Sequence, residues 1–138
     1  MTSLEIKSFF DKEGNILPEL ISDSGNGNVK ELIEFIRENN RDQNYRNEKL
    51  NINQLRKFYD TFLKIYNTKI EEKEKKVQLI MLKANAEYSA KRLHTNRFKD
   101  FIKNRINLVV SKTGEDFNKN LKAFKLHFEA LVAYYPKN

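Results

Sequence analysis

The sequence has no cysteine, and it has only four glycines and two prolines in 138 residues. The absence of cysteine excludes disulfide bonds, a thiol nucleophile and a zinc site with cysteine ligands. Tight hairpins and strand bulges use glycine and proline, so a many-stranded sheet is hard to build from this composition. The sequence also lacks an apolar run of ~18–20 residues and a signal-peptide pattern after Met1. We therefore expect a helical protein located in the cytoplasm.

Charged residues are abundant, but the two signs are unevenly distributed. Lysine and arginine number 26 against 19 aspartates and glutamates, a formal net charge of +7. Residues 1–28 carry two basic and five acidic side chains (net −3), whereas residues 29–138 carry 24 and 14 (net +10). A positive excess indicates a polyanionic partner such as nucleic acid. A lysine-rich solvated surface gives the same excess, so charge alone leaves both interpretations open.

The length of the chain supports one domain with a single core. Residues 1–27 are predicted to form an acidic N-terminal leader, because Gly14, Pro18, Gly25 and Gly27 interrupt any helical pattern there. Residues 28–138 are predicted to form one helical bundle domain.

Hydrophobic periodicity predicts about five helices, and hence an all-α bundle. The first helix is expected over residues 29–38, with Asn28 as its N-cap and Glu31 completing a capping box. A polar loop follows over residues 39–51. Asn51 is then expected to start the second helix, with Gln54 at the third position.

Residues 53–93 are compatible with one long helix or with two helices and a turn near Asn67 and Thr68, because the apolar stripe keeps its phase across the charged run at 71–76. The part over 77–93 is apolar on two sides, which is typical of a helix buried centrally or held between subunits. One side holds Val77, Ile80, Met81, Ala84 and Tyr88, and the other holds Leu79, Leu82, Ala86 and Leu93.

Two further helices are predicted over 96–111 and 114–135. Thr95 is the expected N-cap of the first, and Thr113 with Asp116 the expected capping box of the second. The proline after residue 135 is expected to end the last helix. The residues predicted for the core are Phe98, Phe101, Ile102 and Val109, followed by Phe117, Leu121, Phe124, Phe128, Leu131 and Tyr135.

The sequence offers no recognisable catalytic centre. The two histidines, His94 and His127, lie in different predicted segments without a supporting carboxylate pattern, so we expect surface or core-edge histidines and no metal site. No glycine-rich phosphate loop and no nucleophile–histidine–acid pattern is present. We therefore predict a protein that is not an enzyme, with no catalytic residue, metal ligand or cofactor.

A stretch rich in cations and aromatics favours RNA binding more specifically than the net charge of the chain does. Residues 49–105 carry 15 basic and six acidic side chains, a net of +9. The aromatics share the apolar stripe and are expected in the core, so the cations should contact the RNA backbone without reading its sequence. The candidate RNA-binding residues are Arg56, Lys57, Lys64, Lys83, Lys91, Arg92, Arg97 and Arg105.

Three segments also resemble the Csm small subunit of type III-A CRISPR effector complexes. They are the Gln-Leu-Arg-Lys-Phe-Tyr-Asp run over 54–60, the Tyr-Ser-Ala-Lys-Arg run over 88–92, and the Phe-Glu-Ala-Leu-Val-Ala-Tyr-Tyr run over 128–135. They occur in the family's order, and the likeness covers about 51–137. Ser89 and the charged run at 71–76 depart from the family's pattern.

The resemblance implies a non-catalytic, antiviral-defence subunit present in several copies. These would associate with one another in a filament beside other effector-complex subunits, and together they would hold guide RNA and target RNA. Cutting of nucleic acid would belong to the other subunits. The cations would hold phosphates while base pairing selects the sequence. No membrane partner is implied.

Two alternatives stay open on the residues alone. A DNA-binding helical regulator would need a recognition helix after a short turn, and no glycine-containing turn of that kind appears in 51–110. A helical adaptor would dock proteins through the aromatic C-terminal stripe, and its basic surface would be incidental.

Overall fold

A computed structural model describes residues 4–37, 50–93 and 95–137, and these ranges contain five α-helices. Within them the β-structure is limited to one isolated bridge between Phe10 and Ile16. The predicted all-α bundle is therefore confirmed. His94 and most of the predicted loop over 39–51 lie outside the described residues. The helices are α1 (Val29–Arg37), α2 (Ile52–Asn67), α3 (Glu72–Leu93), α4 (Asn96–Val110) and α5 (Gly114–Tyr134).

The segment that the sequence left as one helix or two forms two helices. Thr68 adopts an extended backbone and caps the end of α2, and its hydroxyl donates to the Lys64 carbonyl. Lys75 on α3 reaches back and donates to the Tyr66 carbonyl at 3.0 Å. Because the connection over 68–71 is short, α2 and α3 run antiparallel and pack side by side.

The core is built around α5 and a cluster of phenylalanines. Phe124 and Phe128 on α5 are fully buried, and their rings lie 5.5 Å apart. Phe62 on α2 meets Phe124 at 4.9 Å, and Phe101 on α4 meets Phe128 at 6.1 Å. Each such aromatic pair stabilises the fold by ~0.5–1.5 kcal/mol beyond the area it buries. The predicted apolar stripes of α4 and α5 are confirmed as core.

The acidic leader packs into this same core. Phe9 is fully buried and stacks on Phe124 with ring centroids 6.1 Å apart. The side-chain amide of Asn104 on α4 donates to the Ile6 carbonyl and accepts from the Ile6 N–H, both at 3.1 Å. Residues 4–27 therefore contribute to the same hydrophobic core as the bundle. What changes near residue 28 is the sign of the net charge and the start of α-helix.

Two of the predicted N-caps form as expected. The Asn51 side chain accepts from the Gln54 N–H, and the Gln54 side chain accepts from the Asn51 N–H, which completes a capping box. The Asn28 side chain accepts from the Glu31 N–H at 3.1 Å. The Glu31 carboxylate accepts from the Gly27 N–H at 3.2 Å and from the Asn28 side-chain amide at 3.3 Å.

The prediction that the Thr95 and Thr113 side chains cap their helices by hydrogen bonds is wrong. Thr95 has φ −98° and ψ 54°, so it lacks the extended backbone that brings an N-cap hydroxyl to the helix amides, and no such bond forms. The Thr113 hydroxyl makes no cap bond either. Instead the Gly114 N–H at the start of α5 donates to the Glu72 carboxylate on α3 at 2.9 Å. That hydrogen bond, with the Lys76 ammonium, lowers the pKa of Glu72.

Candidate nucleic-acid interface

The structure divides the eight predicted RNA-binding cations by exposure. Arg105 is buried, and Lys83 and Arg97 are partly buried. The remaining five side chains are exposed on α2 and α3, and only these are free to meet a large polyanion without rearrangement. They are Arg56, Lys57, Lys64, Lys91 and Arg92.

A groove of about 180 Å³ runs between α2 and α3 and contains one of these cations. Its lining combines a lysine, an amide and a serine hydroxyl that can donate to phosphate oxygens with a threonine hydroxyl that donates to the Lys57 carbonyl at 3.0 Å, and it includes no carboxylate. The lining residues are Lys57, Phe58 and Thr61 from α2, and Leu82, Asn85 and Ser89 from α3. We call this feature the α2–α3 groove.

Two further cations continue the line of the α2–α3 groove. Lys64 follows Lys57 by seven residues, so it lies on the same side of α2 two turns further along. Arg92 follows Ser89 by three residues and Asn85 by seven, so it lies on the groove side of α3. The sequence pattern identified these cations but not the polar groove residues at 61, 85 and 89. Those residues could have been found from their helical spacing to Lys57 and Arg92.

Cations on the opposite side of α3 are occupied within the bundle. Lys83 donates to the Asn107 side chain on α4 at 2.6 Å. Lys103 and Lys99 on α4 lie 3.4 and 3.8 Å from the Glu87 carboxylate. Lys83 therefore faces α4, and the structure does not bring it together with Lys57.

Arg97 joins helices within the bundle. Its guanidinium donates to the Phe35 carbonyl on α1 at 2.8 Å and lies 4.0 Å from the centre of the Phe35 ring. A planar guanidinium stacked on an aromatic ring and hydrogen-bonded at the same time is well fixed. These packing contacts hold the Arg97 side chain against α1, away from the α2–α3 groove.

The expectation that Arg105 contacts phosphate does not fit its position. Its side chain is 2% exposed, lies 4.6 Å from the Phe101 ring centre, and donates to the Leu4 carbonyl and to the His127 ring at 3.3 Å. Burial lowers the pKa of Arg105 to about 9, so the group is still charged at neutral pH. Arg105 attaches the leader to α4 and α5 instead of facing solvent.

His127 is likewise a core residue, and not the surface or core-edge histidine that was expected. One ring nitrogen bonds the Leu20 carbonyl at 2.6 Å, and the other accepts from Arg105. Burial, with the nearby Arg105 charge, lowers the pKa of His127 to about 3. The imidazole is therefore neutral and committed to structure. Across the described ranges no three potential metal-ligating side chains come together.

Of the two apolar sides of α3, the one with Leu79, Leu82 and Ala86 is buried, and the one with Val77, Ile80, Met81 and Tyr88 is exposed. Leu79, Leu82 and Ala86 are at most 1% exposed. By contrast Val77, Ile80, Met81 and Tyr88 are about half exposed or more, at 47–68%. The sequence-based expectation of a helix apolar on two sides is therefore correct, and one of those sides has no covering in this chain's own described bundle.

The fold and the α2–α3 groove define a small all-α protein with a positively charged helical hairpin. Among the described residues, no helix is long and apolar enough to cross a membrane. A protein-family model described as Csm2 Type III-A matches residues 26–137. The chain therefore belongs to this family, the small subunit of the type III-A CRISPR effector complex. Searches of curated proteins and of solved structures gave no significant match.

The family match includes α1, which the motif resemblance over 51–137 did not reach. Members of this family are structural subunits of a complex with several different subunits, so other effector-complex subunits are partners of this chain.

Proposed function

We propose that this protein is a non-catalytic subunit that holds the sugar–phosphate backbone of guide RNA and target RNA against its α2–α3 groove. It does so in the cytoplasm, in several copies that associate with one another within the effector complex. The observation that carries the proposal is a groove that contains Lys57 and has no carboxylate in its lining, and helical spacing puts the exposed Lys64 and Arg92 on its side of α2 and α3.

The groove cations are available for an external anion. Within the described parts of the chain, the side chains of Lys57, Lys64 and Arg92 form no ion pair or hydrogen bond, in contrast to Lys83 and Arg97. An ammonium or guanidinium that gains a phosphate partner releases the counterions condensed on the RNA. This entropic gain supports binding that depends on charge and not on base sequence.

The groove offers polar contacts but no aromatic platform for bases. Asn85 and Ser89 supply amide and hydroxyl donors that match phosphate and ribose oxygens, whereas the Thr61 hydroxyl donates to the Lys57 carbonyl. The Phe58 ring packs 5.0 Å from Phe98 in the core, so it does not stack on an unpaired base. Sequence selection is left to base pairing between guide and target.

The salt dependence of RNA binding tests the proposal. We expect the affinity for single-stranded RNA to fall linearly on a log–log plot against salt, with a slope of about −0.7 per phosphate neutralised. Lys57→Ala and Arg92→Ala should each make the slope shallower by about 0.7, equally for unrelated RNA sequences.

Lys122→Ala is the matched control, because Lys122 is an exposed lysine on the outer face of α5. It should leave the slope unchanged. An equal effect of all three substitutions would contradict a localised groove, and a loss confined to one RNA sequence would contradict backbone contact.

A further inference from the structure

A cavity of about 440 Å³ lies between the acidic leader and the helical bundle. Its floor includes Arg105 and His127, which are buried, and its mouth includes Asn26 and Glu31, which are exposed at the start of α1. We call this feature the leader cavity. Cavities of this size are typical of sites for small organic molecules.

The guanidinium of Arg105 has a nitrogen that no described residue uses. Its Nε donates to the His127 ring at 3.3 Å, and its Nη1 donates to the Leu4 carbonyl and to the Asn104 side-chain oxygen. The two N–H groups of Nη2 form no hydrogen bond with any residue that the structure describes. Although the side chain is only 2% exposed, Nη2 is not sealed from solvent. Because Arg105 lines the leader cavity, these two donors open into it.

The positive charge of Arg105 is also unbalanced. Its guanidinium forms no ion pair with a carboxylate of the described ranges, and burial is the cause of its lowered pKa. The neighbouring His127 imidazole is neutral and supplies no negative charge. A buried charge without a counter-charge is destabilising. A carboxylate bound at Nη2 would accept two charge-assisted hydrogen bonds and balance it.

The wall and mouth of the leader cavity carry the opposite charge. Glu19 is partly buried, and its carboxylate forms no ion pair or hydrogen bond within the described parts of the chain. The Glu31 carboxylate accepts only from neutral donors there, the Gly27 N–H and the Asn28 amide. Two carboxylates that no cation neutralises attract a positive group and repel a polyanion such as RNA. The ligand of this cavity therefore needs a cationic group as well as an anionic one.

We propose that the leader cavity binds a small zwitterion, whose carboxylate is held by Arg105 and whose ammonium group is held by Glu19 and Glu31. Between these charges the lining includes the aliphatic side chains of Leu17 and Leu32, which suit a short hydrocarbon body. An amino acid with an aliphatic chain has this chemistry. The inference does not depend on RNA binding, because the α2–α3 groove shares no lining residue with the leader cavity.

Titration of the full chain with defined probes tests the ligand class. The zwitterions 6-aminohexanoate and L-leucine are compared with hexanoate, which lacks the ammonium group, and hexylamine, which lacks the carboxylate. We expect at least one zwitterion to give saturable shifts of the Leu20 and Gly27 amide signals in NMR spectra and to raise the Tm. The two singly charged probes should bind about tenfold more weakly, because each loses one charge-assisted contact. No saturable shift with either zwitterion would overturn the proposal, as would equal binding of hexanoate.

Substitutions at Glu19 test the position of the ammonium group. Glu19→Gln should weaken zwitterion binding about tenfold. Glu19→Lys should also bind the dicarboxylate adipate more tightly than the wild type does, because the sign of the charge there is reversed. Glu13→Gln is the matched control, since Glu13 is an exposed glutamate of the same leader that does not line the cavity. An equal effect of Glu13→Gln would indicate a diffuse charge effect and contradict the site.

The wild-type protein reports on Arg105 directly, which matters because a substitution there would also release Leu4. Binding of the zwitterion should shift the Nη signals of Arg105 in nitrogen-detected spectra and slow their exchange with water. Unchanged Arg105 signals at saturating ligand would contradict the placement of the carboxylate.

RNA binding separates this inference from the proposed function. Glu19→Gln should leave the salt dependence of RNA binding unchanged, and Lys57→Ala should leave the affinity for the zwitterion unchanged. Zwitterion binding without RNA binding would contradict the proposed function alone. RNA binding with no response to any zwitterion would contradict this inference alone.

Discussion

At the scale of single residues, exposure distinguishes a binding cation from a structural one. Arg105 and Lys57 look alike in a count of charges, yet one is buried and the other lines a groove. The sequence did indicate that Arg105 is buried, because Arg105 follows Phe101 and Ile102 by four and three residues on the buried face of α4. Its partner at Leu4 is about a hundred residues away and could not be read from local pattern.

His127 gives the fold a pH dependence whose direction follows from its pKa. The pKa is about 3 in the folded protein and near 6.5 when exposed, so between these values the unfolded chain binds the additional proton. Stability is therefore fully present above about pH 6.5 and falls as the pH drops towards 3.

We expect the free energy of unfolding to fall by about 1.5 kcal/mol between pH 6.5 and 5 on account of this residue. Urea unfolding of the wild type and of His127→Gln at both pH values measures it. The variant should lack this component while keeping the contribution of carboxylates. Identical pH profiles for the two proteins would contradict a buried neutral imidazole.

At the scale of elements, periodicity predicted the helices, and tertiary contacts decided their ends. The capping box at Asn51 is local and was predictable, whereas the start of α5 depends on Glu72 from another helix. The sequence left a break near Asn67 and Thr68 as one of two possibilities and could not decide it, since the apolar stripe continues through it without glycine or proline. The two-sided apolar pattern of α3 was visible in the sequence, but which side is exposed depends on the packing of α2 and α4.

The acidic N-terminal leader is part of the fold, which its composition did not indicate. Its acidic, glycine-containing sequence suggested a segment separate from the bundle, yet Phe9 stacks inside the core on Phe124. We expect Phe9→Ala to lower the free energy of unfolding of the whole domain by ~3–5 kcal/mol, because it removes a buried aromatic ring and leaves a cavity.

Ile21→Ala provides the matched control, since Ile21 lies in the same segment but is 39% exposed. It should cost far less, within ~0.5–1 kcal/mol. Urea unfolding followed by far-ultraviolet circular dichroism measures both variants. A small effect of Phe9→Ala, similar to that of Ile21→Ala, would show that the leader does not contribute to the cooperative core.

At the scale of the whole molecule, three short segments predicted the family, and the fold then placed the cations. The resemblance at 54–60, 88–92 and 128–135 pointed to the small subunit, and the family match over 26–137 confirmed it. The location of a binding surface could not be predicted in the same way. Lys57 and Arg92 are far apart in sequence, and they share a side of the hairpin only because α2 and α3 pack antiparallel.

Photo-cross-linking within the assembled effector complex tests the central claim most directly. The complex would be assembled with guide RNA, bound to a complementary transcript containing 4-thiouridine, irradiated, and digested for mass spectrometry of this chain. We predict cross-links in residues 57–64 of α2 and 85–92 of α3, which border the α2–α3 groove. Cross-links confined to the outer face of α5, around Lys119 and Lys122, would contradict the account.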